Sequence, residues 1–160
     1  MKAHPVPGLD PELPLAVAAR EIIAVRSAEL FSFVPRALDE RNPVALHDMR
    51  IAAKRLRYVL ELVGFAIGPL AQEAEARARD LQTVIGEVHD QDVLIARLEA
   101  LPAKTSRVGL RALSLRLQSV RDERFARFLD LWATIEEAGL RERLGAVTSF
   151  SPNGSKAGDN

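Results

Sequence analysis

The sequence has no cysteine. That excludes disulfides and thiolate-bound metal and fits a reducing compartment, so cytoplasm is the expected location. Aromatic residues are scarce, at 5% with one Trp and one Tyr. A run of stacking platforms for nucleic-acid bases is therefore missing. No charge of either sign is in excess: 22 basic residues face 22 acidic ones, for a formal net charge of zero. Long-range attraction to nucleic acid or an anionic membrane cannot come from that balance, so any anion site must be local. No apolar run approaches the roughly 20 residues needed to cross a bilayer. The opening MKAHPVPGLDPELP lacks the continuous apolar core of a secretory signal, and a soluble, non-exported chain is expected. Glycine-rich phosphate loops, serine or cysteine nucleophile motifs and a paired general acid and base are also absent, which leaves a weak case for an enzyme.

What is present is helical. With 160 residues, 48% of them hydrophobic, the chain can bury one core and suits one domain. Pro5, Pro7, Gly8 and Pro11 make residues 1–13 an irregular lead-in. Helical apolar spacing then predicts four long segments: from Pro14 to about Leu38, with Pro35 ending or kinking it; from Asn42-Pro43 to about Ala66; from Leu70 to Leu101; and from Thr105 to Ala138 before Gly139. In the last of these, Leu110, Leu113, Leu117, Val120, Phe128, Leu131, Trp132 and Ile135 form the expected apolar stripe. No segment sustains period-two alternation. The expectation is an all-α antiparallel four-helix bundle over residues 14–144, followed by a polar, disordered tail at 145–160.

The second segment carries the chemistry. At about 100° per residue, Met49, Ala52, Ala53, Leu56, Val59, Leu60 and Val63 share one side, the core stripe. His47, Arg50, Lys54 and Arg57 share another, stepping along the axis at about 5.4 Å per turn. A row of cations at that pitch suits a chain of phosphates better than a single carboxylate: arginine offers a rigid fork of donors, lysine a mobile charge, histidine a charge that grows as pH falls. The competing reading is a solvated basic face neutralised by Glu61 and by acids of neighbouring helices. Against it, Ile51, Tyr58, Leu62 and Phe65 line the flank of the row and give the helix a second apolar edge. Something should pack there, another part of the chain or a second copy. In the third segment Gly86 costs about 1 kcal/mol relative to alanine, which points to a close helix contact.

The stretch HDMRIAAKRLRYVLEL resembles the motif of CHAD domains, the conserved-histidine α-helical domains. The later LQTVIGEVHDQDVLIARLEAL, with Gly86, Asp90 and Asp92, is similar to the segment that follows that motif in the same family. The likeness covers about residues 44–101. It implies an all-helical unit around a basic channel that binds inorganic polyphosphate, with an association with polyphosphate granules; no cofactor is expected. By that resemblance His47, Arg50, Lys54, Arg55 and Arg57 are the matched basic positions, with Tyr58 beside them. Asp90 and Asp92 would hold the arginines of the second segment in place, and Arg116 is the residue of the fourth segment expected to extend the groove. CHAD domains commonly carry two such units, whereas this chain has one copy of the motif. A symmetric homodimer is the expected way to supply the missing half.

Two other functions compete. His47, His89, Asp90 and Asp92 invite a metal-dependent phosphohydrolase, although the Glu-x-x-His repeat of di-metal bundles is missing. A helical module that docks an acidic protein partner is the third reading. Specific nucleic-acid binding is not expected.

Overall fold

The computed structural model describes residues 2–7, 9–101 and 107–149. Residues 2–7 and 9–13 form no helix. Leu15–Ser32 is α1, and the chain breaks there, earlier than expected. Pro35 sits at the start of the short α2, Val34–Ala37, where its missing N–H is harmless. Asn42 then caps α3, Pro43–Val63, accepting the Ala45 amide at 3.0 Å with Pro43 in the first turn. A 3₁₀ turn over Gly64–Ile67 follows. Gly68, at φ 64°, reverses the chain into α4, Leu70–Glu99.

The predicted core stripe of α3 is realised. Met49, Ala52, Ala53, Leu56 and Leu60 are buried, and Val59 and Val63 pack partly buried beside them. Helix α4 supplies Leu81, Ile85 and Val88 from one side, and α1 supplies Ile23, Leu30 and Phe31 from another.

One fully buried carboxylate joins α1 to α3. Glu29 accepts from Arg26 Nη1 at 2.7 Å and Arg55 Nη1 at 2.8 Å, and the His4 amide reaches it at 3.3 Å. Burial pushes the Glu29 pKa up, but the Arg26 and His4 hydrogen bonds and the Arg26 and Arg55 charges outweigh it, leaving the carboxyl below its ordinary 4.5. A depressed carboxyl stabilises the fold above its unfolded pKa, and that stability is lost as pH falls through the lower folded value.

Two expectations need correction. All regular structure among the described residues is helical, with no strand, but it does not make the simple four-helix bundle that was expected. Helix α5, Arg107–Glu137, packs chiefly on α4, and a further helix, α6 over Leu140–Ser149, returns against α1. Gly139, at φ 59°, makes the turn between them. The helix therefore runs across the expected boundary at Gly145, with Leu140 and Leu144 buried, and Arg143 binds Glu73 of α4 at 2.6 and 2.8 Å. Residues 150–160 of the expected tail lie outside the described residues.

The second correction concerns α5. Only its later half reaches the core, through Phe125, Phe128, Trp132 and Ile135, while Leu113 and Leu115 are exposed. Helices α4 and α5, with 30 and 31 residues, outrun α1 and α3, with 18 and 21. Among the described residues, the apolar spacing of the early α5 leucines thus has no third helix to meet. Phe128→Ala should cost about 3–5 kcal/mol in chemical denaturation. Leu115→Ala, at a side chain 59% exposed, should change stability by no more than about 0.5 kcal/mol.

Candidate functional site

Antiparallel packing of α3 on α4 brings their polar edges into register. The rings of His47 and His89 stand 4.7 Å apart, centroid to centroid. Three residues further along α3, Arg50 lies over Gly86: a Cβ built on that glycine would come 3.2 Å from Arg50 Nε and 3.6 Å from Nη2. Gly86 is therefore where α4 makes room for a guanidinium, the close contact its cost in a helix implied. Continuing the register places Gln82 opposite Lys54 and Arg79 opposite Arg57. Arg79 Nη2 lies 3.9 Å from Glu61, the same carboxylate that Arg57 meets at 3.0 Å.

Polar atoms along this seam are buried without hydrogen-bond partners among the described residues: His47 Nδ1, Arg50 Nε, Arg57 Nε and Gln82 Oε1. Buried donors and acceptors are nearly always satisfied, and a cluster of exceptions calls for a reason. No carboxylate among the described residues lies within ion-pairing distance of Arg50 or Lys54. Burial lowers the His47 pKa below its ordinary 6.5, helped by the neighbouring His89 and Arg50 and opposed by Asp48. The seam holds cationic donors partly out of water with few counter-charges, an arrangement that favours an incoming anion.

Not every matched residue stands on the seam. Arg55 faces α1 in its ion pair with Glu29. Arg57 is shared, with Nη1 on Glu61 and its guanidinium 4.4 Å from the Tyr58 ring centroid. Lys54 Nζ lies 5.7 Å from the same ring, so Tyr58 borders both cations. Arg116 is exposed on α5 and makes no hydrogen bond, ion pair or ring contact among the described residues. Asp90 is exposed on α4. Asp92 takes a different partner from the one expected: Arg121 of α5 donates to it at 2.7 Å and also to the Glu40 carbonyl at 2.7 Å. Its role is to fasten α5 to α4, not to orient the arginines of α3.

His89 and Gln82 also stand on the seam, where the motif match had not placed them. Their shared face with Gly86, at positions 82, 86 and 89, was the available signal. A nearby concavity of about 600 Å³, lined in part by Leu60, Leu62, Phe65 and Ala71, is edged by Glu61 and Glu75. Carboxylates there make it a poor host for an anion. No three His, Asp or Glu side chains among the described residues gather closely enough to hold a metal ion.

The Gly86 contact gives a test that leaves every charge in place. Gly86→Leu should displace the Arg50 guanidinium and weaken anion binding at least about tenfold, a loss of roughly 1.4 kcal/mol, while circular dichroism keeps its helical signal. Unchanged binding would mean that the Arg50 position does not matter.

No curated protein and no solved structure matches the chain. The sequence model of one family does: the CHAD domain, over residues 21–158. That match takes in α3, α4 and the seam between them together with nearly all the rest of the sequence, and the chain belongs to the CHAD domain family.

Proposed function

We propose that the α3–α4 seam binds inorganic polyphosphate, or a comparable linear polyanion, without catalysing its breakdown. The observation that carries this reading is the set of polar nitrogens without a partner among the described residues, His47 Nδ1, Arg50 Nε and Arg57 Nε, collected on one helix edge. His47 to Arg57 covers about 15 Å at 1.5 Å per residue. That is a length for several consecutive phosphoryl groups, where a single phosphate would engage one turn. CHAD domains are commonly linked to polyphosphate binding, which supports the same reading.

His47, Arg50, Lys54 and Arg57 make the contacts, Tyr58 walls the row, and His89 and Gln82 face it from α4. Arg55 holds α3 to α1 through Glu29 and supports the row from behind. A second copy of the chain supplies the other wall of the groove, and the bound polymer brings the protein to polyphosphate granules in the cytoplasm. Among the described residues no helix is long and apolar enough to cross a membrane. The reading as a metal-dependent phosphohydrolase has no comparable observation in its favour, since Asp92 is engaged by Arg121.

Affinity from such contacts includes counter-ion release and falls steeply with salt. Replacing Arg50, Lys54 and Arg57 together by alanine should abolish most polyphosphate binding in a calorimetric titration; unchanged affinity would falsify the assignment. The pH dependence follows from His47. Its folded pKa lies below 6.5 in the free protein, and a neighbouring phosphate favours the charged imidazole, so binding takes up a proton. Affinity should rise as pH falls through about 6.5 and below, and His47→Ala should flatten that rise.

A further inference from the structure

We infer that the second copy joins through the outer face of α3 as an antiparallel pair, and that the polyanion drives the joining. This rests on the polyphosphate reading above. The outer face carries Val44, Ile51 and Tyr58, each seven residues from the last, with Leu62 beside them, and Phe65 continues the spacing in the 3₁₀ turn that follows. Seven-residue spacing makes a nearly straight seam along a helix and suits a second helix laid alongside. Most of the seam is bare, with Ile51 half-buried at its middle: Val44 is 70% exposed, Leu62 78% and Phe65 63%.

Symmetry decides which pairing can build a site. In a parallel pair the two-fold axis runs along the helices and sends the two basic rows to opposite sides of the contact. In an antiparallel pair the axis is perpendicular to them and keeps both rows on the same side. Only the antiparallel pair lines one groove with His47, Arg50, Lys54 and Arg57 from both copies. An axis centred between Lys54 and Arg55 sets Ile51 against Tyr58 of the second copy, and Val44 against Phe65 of the second copy. The apolar stripe is thus complementary to itself in this register.

That groove cannot close on its own. Both rows carry the same charge, and Arg50 and Lys54 have no carboxylate among the described residues to offset it. A stripe on one helix also falls short of the roughly 800 Å² per partner of a standard stable interface. A polyanion lying between the rows reverses the sign of their interaction and adds the missing contacts. Pairing and anion binding then strengthen each other reciprocally.

The test combines mass with disulfide trapping, using a polyphosphate of defined length too short to string separate molecules together. Light scattering should give a monomer at micromolar concentration without the anion and a dimer with it, reverting at high salt. The chain has no cysteine of its own, so a Val44→Cys, Phe65→Cys double variant reports the register. It should form an intermolecular disulfide only with polyphosphate, and Val44→Cys alone should form none. Within one chain these positions are about 30 Å apart along α3, too far to link. Leu62→Glu should stay monomeric and bind the anion at least tenfold more weakly, with its helical signal intact. Polyphosphate bound at monomer mass overturns the inference and leaves the polyphosphate reading standing. So does a dimer of equal strength without the anion, or ready linking of Val44→Cys alone. Absence of any polyphosphate binding removes both.

Discussion

Arginine nitrogens held in a protein seam without acceptors are costly, and the arrangement of α3 and α4 depends on tolerating that cost. Arg50 cannot retreat into water without leaving its place over Gly86, and Gly86 cannot gain a side chain without pushing it away. Arg57 reaches Glu61 with one nitrogen and leaves Nε bare. A buried donor without a partner costs about 1–3 kcal/mol. The aliphatic face of the same helix, from Met49 to Leu60, provides the burial that offsets it.

The contrast with the other arginines sharpens the point. Arg20 donates to the Ala66 carbonyl, Arg124 to the Glu87 carbonyl, Arg121 to Asp92, and Arg143 to Glu73. Each joins two elements distant in sequence, and each ends on an acceptor of this chain. Arg55 does the same through Glu29, which Arg26 meets within α1. Several of the arginines are thus spent on holding helices together. The remainder on α3 form a short, local positive edge on a molecule with no net charge, which keeps attraction specific to a ligand that can lie along that edge.

The sequence was legible where local chemistry decides. Asn42-Pro43 announced the start of α3, the spacing from Met49 to Val63 gave its buried face, and Gly86 marked a close approach. Less readable was the partner of each long charged side chain, because that depends on the register of two helices distant in sequence. Arg55 and Arg57 are neighbours in the motif, yet one turns to Glu29 and the other to the seam. Asp92 likewise met Arg121, twenty-nine residues away. Helix α6 was hidden because it is short and contains Gly145; it exists through the burial of Leu140 and Leu144, which no propensity reports. The early leucines of α5 kept a helical period without a neighbour to bury them, and periodicity alone cannot tell those cases apart.

The central claim is that the bare guanidinium nitrogens of α3 are the ones an anion satisfies. The most direct measurement is a nitrogen-15 spectrum of the arginine side-chain Nε–H groups, recorded while polyphosphate is added. The account predicts that the Arg50 and Arg57 signals move and sharpen first, while those of Arg20 and Arg121, already bonded to Ala66 and Asp92, stay in place. Movement confined to arginines of α5, with Arg50 and Arg57 unchanged at saturation, would contradict it.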